Sequence, residues 1–390
     1  MISAVDPTEA LLQDIGPLDR RVADAMRAVP RHLFIPSVAL ACPPDEPVRI
    51  IDLDADPEDW WNTVYSDTSI VTQLDDGATD IGTGSGDYTS SCSAPGIVAM
   101  FLELLDPEPG NRVLEIGTGT GWTGALLCHL VGETNVTSIE VDPVVAEQAA
   151  KNLSDAGFQP HLIVGDGAEG CAARGPFDRV HVTCGIRTVP YAWIEQARPG
   201  AVLVAPYSPR FQTDFQLRLV VTPSGVAHGR FPDFASYMMM RAQRSVPARQ
   251  LHETGNQHHL TTGVDPRIIV CAPAGADLAI GAMTGLTAHD SDRPDEDGKC
   301  HRIWVSDPRD PESWAVAIWR PDSEDYQVFQ VGDRPVWEEA TDAYFRWVGW
   351  GEPSYNRFGM TVSPEGQRVW LDRPEHPVPS LSFTGDSSAQ

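Results

Sequence analysis

Short apolar runs alternate with amphipathic segments through the middle of the chain. The apolar runs predict strands at residues 112–117, 136–141, 161–164, 177–184 and 201–205. The amphipathic stretches between them predict helices at 122–131, 143–156 and 191–198. Two further apolar stretches, 216–222 and 236–241, are expected to close the sheet. Strands that alternate with helices at this spacing are typical of a doubly wound, mostly parallel α/β sheet of the Rossmann type.

The pattern differs on both sides of this region. Residues 18–29 carry apolar side chains at helical spacing up to Pro30, and 31–36 is expected to be extended. Residues 75–93 are rich in Gly, Ser and Asp and predict a long loop. After residue 245 we expect one helix, 335–350, among strands at 267–272, 301–306, 314–319, 326–331, 358–362 and 367–371.

These patterns predict four parts. They are an N-terminal helical segment with a substrate loop (1–95), a nucleotide-binding domain (96–245), an α+β domain (246–375) and a disordered tail (376–390). The α+β domain holds seven of the eleven tryptophans, whose stripe is expected to be core, with a peptide-docking surface as the alternative.

Composition narrows the possible functions. The net charge of −27 argues against nucleic acid, because phosphate binding needs clustered Lys and Arg. Without a run of 18 apolar residues or a signal peptide, we expect no membrane contact and a cytoplasmic location. Scattered cysteines, and the histidines His252, His258 and His259 without matching carboxylates, predict no metal site. The oligomeric state is left open.

The segment from Glu115 to Gly121, Glu-Ile-Gly-Thr-Gly-Thr-Gly, follows the first predicted strand of the sheet. A nucleotide lying across the strand ends needs close backbone approach and positive φ, which glycine provides at least cost. Glu140 ends the next strand, where a carboxylate can accept hydrogen bonds from a ribose diol. Asp166 follows the third strand, where it can meet an adenine amine. The turn therefore predicts a nucleotide-type cofactor.

Three interpretations of this turn remain open from the residues alone. Gly119 to Gly124 also satisfies the GxGxxG pattern of a nicotinamide-dependent oxidoreductase, and a tight turn without ligand is the third. S-adenosylmethionine is favoured because Glu115 stands where methyltransferases commonly hold the methionine amino group, and because no second nucleotide-binding half follows. The expected cofactor residues are Glu115, Gly117, Thr118, Gly119, Gly121, Glu140, Val141, Asp166, Gly167 and Thr183.

Several motifs in order extend this interpretation. They are VADAMRAVPRHLFIP at 22–36, Tyr-Ser-Asp at 65–67, Ser-Cys-Ser-Ala-Pro at 91–95, VLEIGTGTGW at 113–122, Gly-Asp-Gly at 165–167, Pro-Phe-Asp at 176–178 and Val-Pro at 189–190. Over roughly residues 18–240 the chain resembles the protein-L-isoaspartate O-methyltransferase family. The resemblance implies a class I methyltransferase fold, S-adenosylmethionine as methyl donor, and a peptide or protein substrate that presents Asp or isoaspartate.

One segment departs from the family pattern. The family has Leu-Pro-Ile-Gly-x-Gly-Gln-Thr after its Tyr-x-Asp motif, whereas this chain has Ser69-Ile-Val-Thr-Gln-Leu-Asp-Asp76 and a longer loop. This loop and the Trp-rich C-terminal part resemble a divergent actinobacterial branch that modifies ribosomally made peptides such as lanthipeptides and graspetides. That resemblance implies methylation of an ordinary Asp, whose ester closes to an aspartimide. Generic isoaspartate repair is the alternative, and a binding module on an inactive core is a further one.

The segment Ser91–Pro95 carries the candidate catalytic residues. A carboxylate acceptor is already ionised at pH 7, so the protein has to position it rather than deprotonate it. Ser93 is the first candidate for holding the acceptor oxygen, with Ser91 and Ser90 after it. The competing interpretation of Ser93 is a helix N-cap, because Pro95 is a favourable first helical residue.

Overall fold

The structure, a computed structural model, describes residues 6–209, 211–244, 257–292 and 298–381. The helices in these ranges are α1 (Pro7–Ile15), α2 (Arg20–Ala28), α3 (Pro57–Val64), α4 (Pro95–Leu105), α5 (Trp122–Val131), α6 (Pro143–Asp155), α7 (Tyr191–Glu195), α8 (Arg267–Val270), α9 (Ala274–Thr284) and α10 (Val336–Gly349). In the described ranges, every helix falls short of the length or the apolar character that crossing a membrane requires.

Side chains at the helix starts explain several of these boundaries. Asp6, Asp19, Asp56 and Asp142 precede α1, α2, α3 and α6, and each carboxylate accepts a hydrogen bond from a backbone N–H of the first turn. Such caps satisfy donors that have no partner inside the helix. Four aspartates therefore define where these helices begin.

The strands of the described chain form three sheets. They are β1 (Val38–Cys42), β2 (Arg49–Asp52), β3 (Ser69–Leu74), β4 (Tyr88–Cys92), β5 (Val113–Ile116), β6 (Val136–Glu140), β7 (His161–Val164), β8 (Phe177–Val182), β9 (Ala197–Tyr207), β10 (Phe215–Val221), β11 (Ala227–Arg230), β12 (Gln257–Thr262), β13 (Thr287–Ser291), β14 (His301–Asp307), β15 (Asp310–Trp319), β16 (Tyr326–Val331), β17 (Phe358–Ser363) and β18 (Gly366–Leu371).

The central sheet has the order β18-β17-β11-β10-β9-β8-β5-β6-β7 in the described residues. The neighbours from β9 to β7 are parallel, whereas β9 to β18 pair antiparallel. Every residue of β5 and β6 is buried, as expected for strands covered on both faces. The predicted mostly parallel α/β fold is confirmed, and the order reverses beside β5, where such sheets bind ligands.

Two smaller antiparallel sheets flank the central one. The first, β2-β1-β3-β4, packs beside α3 and leads from β4 directly into α4. The second, β12-β16-β15-β14-β13, belongs to the C-terminal part and is covered by α10. The sequence pattern did not predict the first sheet, whose strand β4 lies inside the stretch 75–93 that was expected to be a loop. It also did not predict β12, β13 and α9.

The predicted α+β domain is joined to the central sheet more closely than expected. Strands β17 and β18, assigned from sequence to that domain, extend the central sheet by pairing β17 with β11. One apolar cluster also runs from Leu203 and Phe215 of the central sheet to Met283 and Trp337 of the C-terminal part. The boundary near residue 245 therefore does not separate two hydrophobic cores. An otherwise open edge at β11 is covered by this arrangement.

Other sequence predictions are corrected locally. Segment 267–272 contains the short helix α8 rather than a strand, and 31–34 is a 3₁₀ helix rather than extended. Segment 236–241 is not a strand of the sheet; it touches the end of β8 through one bridge, Gly185 to Met239. In the predicted tail, the N–H of Val378 donates to Val369 and that of Leu381 to Met283, so 376–381 packs on the fold. The remainder of that tail lies outside the described residues.

Arg31 connects the N-terminal part to the central fold. Its side chain is buried, and its guanidinium donates to the carbonyls of Val64, Ser66, Thr68, Cys92 and Ser93 at 2.8 to 3.3 Å. The same guanidinium lies 5.4 Å from the ring centroid of Trp122, the first residue of α5. One cation therefore joins the end of α3, the start of β3, the end of β4 and the helix after the glycine turn.

We predict that Arg31→Met lowers the free energy of unfolding by about 3 kcal/mol, because buried carbonyls lose their donors. Arg20→Met is the matched control, since the Arg20 side chain is 92% exposed. Urea unfolding of both variants measures the difference. Equal stability of the two variants would show that the carbonyl cluster does not depend on Arg31.

Candidate functional site

A cavity of about 690 Å³ lies at the carboxyl ends of β5, β6 and β8. The glycine turn, residues of β3 and β4, and segment 236–244 line it. A volume of this size is typical of a site for a cofactor or small ligand. The predicted site residues that line it are Ser90, Ser91, Ser93, Gly117, Thr118, Gly119, Glu140, Val141, Asp166, Gly167 and Thr183.

The glycine turn has the geometry that its sequence predicts. Gly117 has φ +92°, and a Cβ there would lie 2.5 Å from the Thr183 hydroxyl. That hydroxyl donates to the carbonyls of Ile116 and Gly117 and so fixes the start of the turn. Gly119 has φ +54° and packs against the Ser91 carbonyl, which would lie 3.3 Å from a Cβ. The turn thus requires glycine both for its conformation and for close approach of the β4 segment.

Glu140 and Asp166 project from the ends of the next two strands. The two Glu140 oxygens accept from the N–H of Gly119 at 3.0 Å and of Asp142 at 3.1 Å. A carboxylate has lone pairs beyond these two, so it can also accept from a diol in the cavity. Asp166 accepts from the N–H of Ala168 at 2.9 Å and caps the short turn after β7. Both carboxylates are oriented by the backbone before any ligand binds.

Glu115 and Gly121 do not line the cavity, contrary to the sequence prediction. The Glu115 carboxyl is fully buried behind the turn, where it accepts from the Ser138 hydroxyl at 2.6 Å. Burial, together with the charge of Glu140, raises the pKa of Glu115 to about 8. Gly121 caps α5 and packs against Leu153 of α6. Both residues shape the turn from behind, because the strand alternation points the Glu115 side chain away from the cavity.

The three candidate serines lie at the end of β4 with different exposure. Ser90 is 7% exposed and weakly engaged by the Thr72 hydroxyl at 3.4 Å. Ser91 and Ser93 are partly exposed in the cavity, and Ser93 lies close to the Tyr237 phenol. Burial raises the pKa of Tyr237, so its phenol stays protonated at neutral pH. Ser93 and Tyr237 therefore place two neutral hydroxyl groups beside the turn.

The N-cap interpretation of Ser93 is wrong. Ala94 is the cap residue of α4, and the free N–H groups there are satisfied by two other side chains. The Ser69 hydroxyl accepts from the N–H of Ala94 at 3.1 Å, and Asp67 accepts from that of Gly96 at 2.7 Å. The Tyr65-Ser-Asp67 motif thus supplies the cap, which leaves the Ser93 hydroxyl available to the cavity.

Sequence reasoning missed one whole wall of the cavity. Residues Ser236 to Arg241 and Arg244 line it, although 236–241 was predicted as a strand of the sheet. The segment is held by two backbone hydrogen bonds, from Gly185 N–H to Met238 and from Met240 N–H to Gly185. Its apolar run Tyr-Met-Met-Met gives no signal that separates a cavity wall from a strand.

Cys184 also lines the cavity, but its chemistry is passive. Burial, together with the charge of Glu140, raises the pKa of the Cys184 thiol to about 12. The thiol is therefore protonated and a poor nucleophile at neutral pH, since the thiolate is the reactive form.

Comparisons with known proteins match this geometry to a family. Residues 63–222 match the family model described as protein-L-isoaspartate(D-aspartate) O-methyltransferase. Protein-L-isoaspartate O-methyltransferase 2 of Archaeoglobus fulgidus is 35% identical over 200 residues, which is 51% of this chain and 75% of that protein. The Methanopyrus kandleri protein-L-isoaspartate O-methyltransferase is 34% identical over 200 residues, 50% of this chain and 73% of that protein.

This chain belongs to the protein-L-isoaspartate O-methyltransferase family. It is therefore an S-adenosylmethionine-dependent O-methyltransferase, and the nicotinamide interpretation is set aside. A solved structure titled protein-L-isoaspartate O-methyltransferase shares the fold, with a TM-score of 0.52 at 21% identity, over 94% of this chain and 100% of that one. The match ends at residue 222, so the whole C-terminal part from residue 246 lies outside the matched range.

The cavity fits S-adenosylmethionine in its chemistry. The positive-φ glycines allow a ligand to approach the backbone, and Glu140 and Asp166 offer two acceptors at separate strand ends. Val141, 41% exposed, supplies an apolar surface beside Glu140. The residues present can therefore hold a ribose, a purine and an aliphatic chain in one continuous cavity.

We predict that Glu140→Gln weakens binding of S-adenosylhomocysteine about tenfold, because a charged acceptor of hydroxyl donors is replaced by a neutral amide. Glu147→Gln is the matched control, since Glu147 is exposed on α6. Titration calorimetry of both variants measures the change. An unaltered affinity in the Glu140 variant would exclude this carboxylate from cofactor binding.

Proposed function

We propose that this protein methylates the side-chain carboxylate of an aspartyl-type residue in a peptide, and that the substrate is an ordinary Asp in a constrained, ribosomally made peptide. The family membership supports the reaction. The finer substrate assignment rests on one observation: the segment that follows Tyr65-Ser-Asp67 differs from the family pattern and forms a wall of the cavity.

In this proposal the cofactor and the acceptor carboxylate bind in neighbouring parts of one cavity. S-adenosylmethionine, when bound, supplies an electrophilic methyl group on its sulfonium. Gly117, Gly119, Glu140 and Asp166 would hold its nucleoside half, as the acceptors and the close backbone approach described above allow. The cavity wall formed by the end of β4 touches the turn at Gly119, so an acceptor carboxylate there lies beside the cofactor site.

Ser93 is the proposed positioning group for the acceptor. Ser93 and the neutral Tyr237 both line the cavity, so each hydroxyl is available to donate to a carboxylate. Asp67 and Ser69 relieve Ser93 of any capping role. No general base is required, because a carboxylate with an ordinary pKa near 4 is ionised at neutral pH. The protein contributes orientation and exclusion of water.

The methyl transfer is a substitution at the methyl carbon. One acceptor oxygen forms a bond to the methyl carbon, and the carbon–sulfur bond breaks with its electron pair remaining on sulfur, which leaves S-adenosylhomocysteine. Esterification activates the carbonyl carbon, because methoxide leaves it far more readily than an oxide would leave the carboxylate. The next backbone nitrogen of the peptide can then attack the ester carbonyl and release methanol, which closes a five-membered succinimide.

Repair of isoaspartyl residues is the second candidate. The relatives support it, since they are named protein-L-isoaspartate O-methyltransferases. The changed loop favours the first candidate, because the acids Asp75 and Asp76 stand in a region where the family has a glycine-rich motif. The two candidates share their chemistry and differ only in the backbone of the accepted residue.

We predict that Ser93→Ala lowers kcat for methyl transfer about tenfold or more, because the acceptor carboxylate loses a donor that orients it. The affinity for S-adenosylhomocysteine should change little, since the cofactor contacts lie on other segments. Ser154→Ala, an exposed serine on α6, is the control. Unchanged turnover in the Ser93 variant would remove this residue from the mechanism.

The two substrate candidates separate in a direct comparison. We expect kcat/KM for a cyclised peptide that contains Asp to exceed that for a linear isoaspartyl hexapeptide, because the preformed ring avoids the entropic cost of ordering. The linear Asp peptide is the control for the ring. Mass spectrometry detects the succinimide as the loss of water from the substrate. Efficient turnover of the linear isoaspartyl peptide alone would favour repair.

A further inference from the structure

Two arginines stand out in a strongly acidic protein. Arg241 and Arg244 are the basic side chains that line the cavity in the described part of the chain, although the whole chain has a net charge of −27. Both side chains are about one third exposed, at 32%. Both line the same cavity as the candidate serines.

A carboxylate of the protein itself occupies this arginine pair. The Arg244 Nη1 atom lies 2.9 and 2.8 Å from the two Asp76 oxygens, and Arg241 Nη2 lies 2.8 Å from Asp76 Oδ1. Arg241 Nη2 also lies 3.1 Å from Asp142, which follows the proposed ribose acceptor Glu140 by two residues. The arginines are therefore already arranged to receive a carboxylate at the cavity.

Some N–H donors of Arg241 and Arg244 do not contact the Asp76 carboxylate. Arg244 meets both Asp76 oxygens with a single nitrogen rather than with the two parallel nitrogens of a bidentate pair. The Arg241 Nε atom is buried and has no hydrogen-bond partner. A carboxylate that engages a guanidinium through two nitrogens binds more strongly and with defined orientation. An incoming carboxylate can thus form a better pair than Asp76 does.

The loop that carries Asp76 is held in an unfavourable conformation. Asp75 and Asp76 have φ of +48° and +53°, a region that residues with a side chain rarely adopt. The N–H of Asp76 donates to the Thr89 hydroxyl at 3.1 Å, and that of Asp87 to Asp75 at 2.9 Å. These two hydrogen bonds do not use the Asp76 carboxylate, so its exchange at the arginines leaves them in place.

We propose that Arg241 and Arg244 form a second carboxylate subsite, which binds a carboxylate of the peptide substrate other than the methyl acceptor, and that Asp76 occupies this subsite when no substrate is present. The proposal rests on the proposed function for its peptide substrate. It assigns a substrate class, acidic peptides, because a neutral peptide cannot replace the Asp76 carboxylate. Exchange of one carboxylate for another also avoids leaving the arginines unpaired in the cavity.

Two parts of a peptide could supply this carboxylate, a neighbouring acidic side chain or the C-terminus. Four peptides with the same Asp acceptor distinguish these two sources. Two carry Glu beside the acceptor and two carry Gln, and each pair is made once with a free C-terminus and once with an amidated C-terminus. Binding is measured by calorimetry with S-adenosylhomocysteine present, and methyl transfer is measured separately. A peptide that binds by its second carboxylate without being methylated would contradict the proposed function while supporting the subsite.

We compare each peptide that carries a second carboxylate with the matching peptide in which that carboxylate is replaced by an amide. For the source that the subsite binds, the wild-type protein should bind the acidic peptide about tenfold more tightly than the matching neutral peptide. Arg244→Gln should abolish that difference, and Arg244→Lys should retain part of it, because the charge stays while the planar fork is lost. Asp76→Asn should act in the opposite direction and tighten binding of the acidic peptide several-fold, because the internal competitor is gone. Arg20→Gln and Asp155→Asn, both at exposed surface ion pairs, are the matched controls.

The Asp76→Asn and Arg244→Gln substitutions are expected to change the affinity for the acidic peptide in opposite directions, and this difference tests the proposal. If Asp76 and Arg244 only fasten the loop to the cavity wall, both substitutions should weaken peptide binding alike. Weaker binding in both variants, equal affinity for acidic and neutral peptides, or no binding of any peptide would overturn the proposal. Opposite shifts that vanish with the neutral peptide would support it, and the four peptides then show which carboxylate is bound.

Discussion

The buried guanidinium of Arg31 is the contact on which the geometry of the site depends. Burying a cation is costly unless it is well hydrogen-bonded, and here carbonyls from segments 64–68 and 92–93 accept from its two terminal nitrogens. The same group lies against Trp122, directly after the glycine turn. The end of β4 and the cofactor turn are therefore held at one distance, as a transfer between two bound reactants requires.

The carboxylates around the cavity are also held by hydrogen bonds or ion pairs within the protein. Asp67 serves the start of α4, and Glu140 is oriented by two backbone N–H groups, so each carboxylate is positioned before a ligand arrives. Asp76 differs, because its partners are cavity arginines on another segment and its own backbone is strained. An acidic protein thus keeps its few cavity cations neutralised by an acid that an external carboxylate could replace.

The sequence by itself determined the central fold and a nucleotide-type site at its strand ends. The glycine turn, with Glu140 and Asp166 at the following strand ends, is a local arrangement within one supersecondary unit, so spacing alone predicts it. Helix α5 and strand β7 lie where periodicity predicted them, residues 122–131 and 161–164. The family motifs added a carboxylate acceptor, which no periodicity could indicate.

Only the tertiary structure decided how distant segments share the site. Nothing local shows that 236–244 forms a cavity wall, that Asp67 rather than Ser93 caps α4, or that β17 pairs with β11 across more than a hundred residues. Glu115 shows the same limit, because its position in the motif suggests a ligand contact while burial turns its carboxyl behind the turn. These features arise from packing between elements. The local sequence allows an apolar or acidic residue several possible contacts, and the complete fold determines which one forms.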